Sequence, residues 1–179
     1  MKLVLATQNP KKLKEMNEIL SHLGVEVVSE AELGVRIEVE ETGETFTDNA
    51  RLKATAVMQA TGLPAVADDS GLCVDALNGG PGVYSARFGG EGLDDKGRYT
   101  LLLEMLRGQT DRAAHFHTSI VCAFPNGDEL VCEGECPGTI AFAPMGEGGF
   151  GYDPVFFVPE LRKTFGQLTA EEKASVSHR

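Results

Sequence analysis

Basic charge is scarce in this chain. Its 179 residues hold 16 Lys and Arg against 27 Asp and Glu, giving a formal net charge of −11 at pH 7 and a pI near 4.8. So acidic a molecule excludes nucleic acid or an anionic membrane as its main partner, and an anionic ligand would need a local cationic cluster or a metal ion. Long apolar runs are missing as well. No stretch approaches the ~18 apolar residues of a membrane-spanning helix, and the opening MKLVLATQNP is too short a run for a secretory signal. The four cysteines (Cys73, Cys122, Cys132 and Cys136) form no CxxC pair and no zinc-like pattern with histidine. They read as buried free thiols, which fits a reducing cytoplasm. Repeats, low-complexity tracts and a GxxxxGK[ST] phosphate loop are all missing. What is present is 42% hydrophobic content, enough to bury a core within one compact domain over 1–179.

Periodicity sets the class. KLVLAT (2–7) is an apolar strand, followed by a helix in which Leu13, Met16, Ile19, Leu20 and Leu23 form the buried stripe. Asn9 is placed to cap that helix, Pro10 to occupy its first position and Gly24 to end it. Strands are expected at 25–29 and 35–41, then a helix from Thr45, where Thr45 and Asp48 have capping-box spacing, to Gly62. A strand at 64–68 follows. This alternation argues for an α/β sheet. The glycine-rich 78–92 reads as a loop, 94–107 contains a short helix, and Pro125-Asn126-Gly127-Asp128 joins hairpin strands at 113–124 and 128–136. A last helix is expected from Thr169.

Four groups of residues invite chemistry. In Thr7-Gln8-Asn9-Pro10-Lys11-Lys12, with Lys14 beyond, lysines crowd a helix start, where they disfavour the helix itself. Free N–H groups, a capping Asn and ammonium groups suit phosphate; a solvated lysine cluster is the plain alternative. Glu38, Glu40 and Glu41 close a strand, where glutamates are usually only solvated. Asp68 and Asp69 interrupt an apolar segment at the carboxyl end of its strand, where open α/β sheets bind ligands, and acids there suit Mg2+ or merely cap a turn. Near the C-terminus stand Phe150, Gly151, Tyr152 and Asp153, then Lys173, Ser177, His178 and Arg179, with Lys173 and Ser177 spaced to share a helix face. His115 and His117 alternate along a strand and point the same way; with no third ligand evident they read as structural. Taken together, acids and lysines make sense around a metal-bound polyphosphate, because the metal reconciles carboxylates with an anionic substrate.

These residues also fall into motifs: TxNxxK at 7–12, EETGxTFxxNAxxKA at 40–54, ADDSGL at 67–72, PGxYSAR at 81–87, GGFGYDPxF at 148–156 and EEKxxxSHR at 171–179. In this order they make the chain resemble the inosine triphosphate/xanthosine triphosphate pyrophosphatases over its full length. The resemblance implies a mixed, strongly curved α/β sheet with flanking helices, two lobes around a central cleft, and a cytoplasmic homodimer. It further implies Mg2+-dependent hydrolysis of non-standard purine nucleoside triphosphates to the monophosphate and pyrophosphate. By position, Thr7 to Lys12, Ser70 and Lys53 would hold the phosphates, and Glu40 and Asp69 the metal, with Asp68 and Glu41 as second choices. Asp69 would also be the base that activates water, with Lys53 beside it in catalysis. Phe150 to Asp153, Lys173, His178 and Arg179 would hold the purine, Phe150 as its stacking platform. Family members usually continue past the SHR into a terminal helix, so His178 and Arg179 are expected to be weakly held at the end of this chain. A pyrophosphatase for other altered nucleotides and a non-catalytic nucleotide sensor are the alternatives.

Overall fold

A computed structural model describes all 179 residues. The apolar run at the N-terminus forms strand β1 (Lys2–Leu5) and the striped segment forms helix α1 (Pro10–Ser21). Strand β2 (Glu26–Ser29), helix α2 (Phe46–Thr61), strands β3 (Ala65–Val74) and β4 (Gly80–Pro81), helix α3 (Asp95–Met105) and the hairpin strands β5 (Ala113–Ala123) and β6 (Glu129–Ile140) follow. The chain closes with β7 (Phe156–Val158), β8 (Lys163–Thr164) and helix α4 (Ala170–Val176). One mixed, open eight-stranded sheet runs β2-β1-β3-β5-β6-β7-β8, with β4 paired to β3. The β1 strand pairs in parallel with β2 and β3, whereas β3–β4, β6–β7 and β7–β8 are antiparallel.

The chain forms two compact units, residues 1–69 with 118–133 and residues 70–117 with 134–179. In the first, Ala50, Ala54 and Val57 of α2 pack with Val4, Ala65, Ala67, Val121 and Ala123. A separate cluster joins Leu13, Met16 and Leu20 of α1 to Leu5, Val66 and Ile120. The alternate residues of β1, β3 and β5 thus sort onto two faces, each covered by its own helix, as the two-residue repeat of a strand requires. In the second unit, Phe116, Phe156 and Phe165 form a mutual ring cluster with centroids 4.5–5.3 Å apart, packed with Leu72, Leu102, Leu106 and Ile140.

Three expected elements change. No strand forms at 35–41, because side chains take the backbone of Ile37: its N–H donates to Glu30 Oε1 at 3.0 Å and its C=O accepts from Gln8 Nε2 at 2.9 Å. The strand expected to stop at Asp68 runs on through both acids to Val74. The last helix ends at Val176, so Ser177, His178 and Arg179 lie beyond it, although the Ser177 N–H still bonds the Lys173 carbonyl at 2.7 Å. The loop at 78–92 holds the short β4 and a 3-10 turn over Gly82–Arg87.

Candidate active site

Asp68 and Asp69 are both buried, at 4% and 5% exposure, in the middle of β3. Being consecutive on a strand, they face opposite ways. Asp68 turns toward α1, where Lys12 Nζ stands 3.7 Å from its Oδ1. Asp69 turns toward α2, where Asn49 Nδ2 donates to its Oδ2 at 3.2 Å. Lys53, one helical turn beyond Asn49, donates to the Asp68 carbonyl at 2.6 Å and pairs with Glu41 Oε1 at 3.2 Å. Burial pushes the Asp69 carboxyl up to about 6. Lys53 opposes that shift, Glu41 reinforces it, and the Asn49 hydrogen bond and Lys12 oppose it more weakly. A carboxylate so placed changes protonation near neutral pH, as a general base should.

Asn49 has a second role. Its Oδ1 accepts the Gly43 N–H at 2.8 Å, tying the turn after Glu41 to the same side chain that holds Asp69. Any Cβ at position 43 would stand 2.6 Å from Asp48 Cβ and 2.8 Å from Asn49 Oδ1, which is why glycine sits there. The signal for Asn49 was its fixed place in the EETGxTFxxNAxxKA motif and its polarity among Ala50, Ala54 and Val57 on the buried face; neither gave it a role in the site.

The structure brings Glu41, not Glu40, to this cluster. Glu40 and Glu41 lie in a tight turn closed by the Thr42 N–H donating to the Glu40 carbonyl at 3.1 Å. Glu40 is exposed and lines an open cavity of about 820 Å³ with Glu38, Asp48, Arg51 and Gln59. Of the expected phosphate residues, Asn9 caps α1, its Oδ1 accepting the N–H groups of Lys11 (3.0 Å) and Lys12 (3.4 Å). Thr7 Oγ1 accepts the Asn9 N–H at 3.2 Å, Pro10 opens the helix, and Gln8 is committed to Ile37. Lys12 therefore faces the acids while Lys11 is exposed. Ser70 follows Asp69 directly on β3 and is half-buried.

The C-terminal residues gather in the second unit. Asp153 accepts the Phe150 N–H at 3.0 Å and Lys173 Nζ at 2.7 Å through one oxygen, with both charged side chains nearly buried. The Lys173 ammonium lies 4.7 Å and the Arg179 guanidinium 5.4 Å from the centre of the Phe150 ring. His178 is not frayed: it is 7% exposed and stacks on Phe116 at 4.7 Å. Gly149 must be glycine on two grounds, a φ of +71° and an Asp153 oxygen 2.0 Å from where its Cβ would stand. Residues that sequence reasoning passed over pin this loop. The Gly151 N–H donates to Asp95 at 2.9 Å, and the Tyr152 hydroxyl, its pKa pushed up by burial, donates to the Ser85 carbonyl at 2.6 Å. Ser85 of the PGxYSAR motif is thereby scaffold, for its Oγ also accepts the Leu72 N–H at 2.9 Å and donates to the Gly82 carbonyl at 2.7 Å.

A buried carboxylate whose pKa is raised by burial, flanked by lysines on an open mixed sheet, has the make-up of a hydrolase-type site for a phosphorylated substrate. Known relatives make the class specific. Residues 3–179 match the Ham1 family, and the chain belongs to it. It is 51% identical over 179 residues to a dITP/XTP pyrophosphatase of Exiguobacterium sp., covering 100% of this chain and 91% of that one. It is 54% identical over 181 residues to a dITP/XTP pyrophosphatase of Desulforamulus reducens, covering 100% and 90%. Among solved structures, a HAM1 protein from Coxiella burnetii superposes with a TM-score of 0.91 at 44% identity, covering 100% of this chain and 92% of that one.

Proposed function

We propose that this enzyme hydrolyses non-standard purine nucleoside triphosphates (dITP, ITP and XTP) to the monophosphate and pyrophosphate. The Asp69 carboxylate carries this reading, being buried, raised to about 6 and oriented by Asn49. Water attacks the α-phosphorus, its oxygen forming the new P–O bond while Asp69 takes the proton. The bond from the α-phosphorus to the bridging oxygen breaks, and pyrophosphate leaves with the electron pair. Lys12, Lys53 and Lys11 neutralise charge on the phosphate oxygens. The oxygen donors of Asp69 and Glu41 fit Mg2+, which would supply further charge neutralisation at the phosphates, whereas Asp68 faces the other side of the strand. Glu41 replaces Glu40 in this assignment because it alone of the two stands with Lys53.

Phe150 offers its ring to the purine, and Lys173, His178 and Arg179 offer donors. A 6-oxo purine can accept from such donors, whereas the 6-amino group of adenine would leave them unpaired. The triphosphate group and base are the same chemistry in dITP and ITP, so both are substrates. The same reading carries a homodimer, which light scattering would show as a mass twice 19.1 kDa. No helix is long and apolar enough to cross a membrane.

The test is product identity. With Mg2+, dITP and XTP should release pyrophosphate far faster than dATP and dGTP; sequential release of orthophosphate, or no turnover, overturns the proposal. Preference for an altered pyrimidine triphosphate in the same assay would favour the alternative enzyme reading. The Asp69→Asn enzyme should bind dITP but not turn it over, and near-normal turnover would remove Asp69 as the base.

A further inference from the structure

His115 and His117, without an evident third ligand in sequence, acquire one in the fold. Both stand on β5 two residues apart and so project from one face. Glu135 of β6 stands on the same side: its Oε1 lies 3.1 Å from His117 Nδ1 and 3.9 Å from His115 Nε2. All three donor atoms lie within 4.8 Å of one another. Donors about 2.1 Å from a tetrahedral ion stand roughly 3.4 Å apart, so the two measured separations bracket that spacing. One carboxylate oxygen stands beside two imidazole nitrogens, a place that a proton bridging His117 and Glu135 can fill and that a cation can take in its stead. The side chains are 33%, 17% and 59% exposed, so an ion can enter without unfolding anything.

We propose that His115, His117 and Glu135 form a site for a divalent ion of the imidazole-preferring class, Zn2+ or Co2+. Two nitrogens and one oxygen suit such ions, whereas Mg2+ demands oxygen donors. The site lies wholly within residues 70–117 and 134–179 and uses none of the groups assigned to catalysis. Three protein ligands leave a fourth position for water or an outside donor. The site is thus chemically distinct from the all-carboxylate set around Asp69, and excess Mg2+ should occupy one without competing for the other.

Co2+ is the probe. Added to the tag-free, metal-stripped full chain in excess Mg2+, it should bind at one equivalent and give visible d–d absorption without thiolate charge-transfer bands. His115→Gln and Glu135→Gln, at accessible positions where folding is safe, should each weaken binding by about tenfold or more. Neither should change turnover of dITP with Mg2+. Absence of Co2+ binding by the unaltered chain, a smaller weakening in both variants, or thiolate bands that move the ligand set to a cysteine would each overturn the proposal.

Discussion

Asp69 stands where its charge is costly, and the cost has a measurable sign. Its pKa in the folded chain, about 6, lies above its ordinary 3.8, so the native state holds the proton more tightly than the unfolded chain does. Stability from this group is therefore complete below pH 3.8 and is lost as pH rises through 6. At about 1.4 kcal/mol per pH unit of separation, the ionised carboxylate costs up to about 3 kcal/mol at pH 8 without divalent ions. Asp69→Asn removes that charge and keeps an acceptor for Asn49. Urea denaturation should find the variant more stable than the parent at pH 8 and equal to it near pH 4. Equal stability at both pH values would contradict the burial argument. A carboxylate that destabilises the fold above pH 6 fits the role proposed for Asp69, and gives a reason for that one acid within an apolar strand. Asp68, by contrast, has the Lys12 ammonium beside it.

At the scale of elements, Asn49 couples three of them: its helix α2, the turn at Gly43 and strand β3. Its hydrogen bond holds the Asp69 pKa down, so Asn49→Ala should move the acid limb of the kcat/KM profile to higher pH and lower the plateau. An unmoved limb with only a stability loss would reduce Asn49 to a structural role. What was legible in sequence at this scale was local. The Asn9 cap with Pro10 behind it, and the Thr45 cap of α2, specify helix starts within four residues of themselves. What was illegible depended on partners far away in the chain. The segment 35–41 alternates like a strand, yet Glu30 and Gln8 take the backbone groups of Ile37 that a ladder would need. Carboxylates looked like a strand end, yet β3 continues because α1 and α2 cover its two faces and supply a lysine and an amide. The choice between Glu40 and Glu41 turns on a tight turn at this point and on Lys53 of α2, which no pattern of two adjacent glutamates can fix. His115 and His117 likewise needed the β5–β6 pairing before Glu135 appeared beside them.

For the whole molecule, the question is whether two units unfold as one. Strands β3, β5 and β6 each run from one unit into the other, so no linker separates the units in sequence. If neither unit melts independently, unfolding is a single cooperative transition, as the reading of one domain over 1–179 predicts. Composition supplies a probe with built-in location. The chain has no Trp and three Tyr, and Tyr84, Tyr99 and Tyr152 all belong to the second unit. Val57, 2% exposed, packs in the first unit against Val4, Ala65 and Val121, far along the chain from any of them. Val57→Ala removes two buried methyl groups and should cost about 2 kcal/mol. If the molecule is one cooperative body, tyrosine emission and far-ultraviolet dichroism shift to lower urea together and by the same amount in this variant. A tyrosine transition that stays where it was while the dichroism shifts would show that the first unit melts alone. The cluster at Phe150, Lys173 and His178, proposed above to hold the purine, would then persist after the Asp69 centre had come apart, and dITP affinity and turnover would be lost at different urea concentrations.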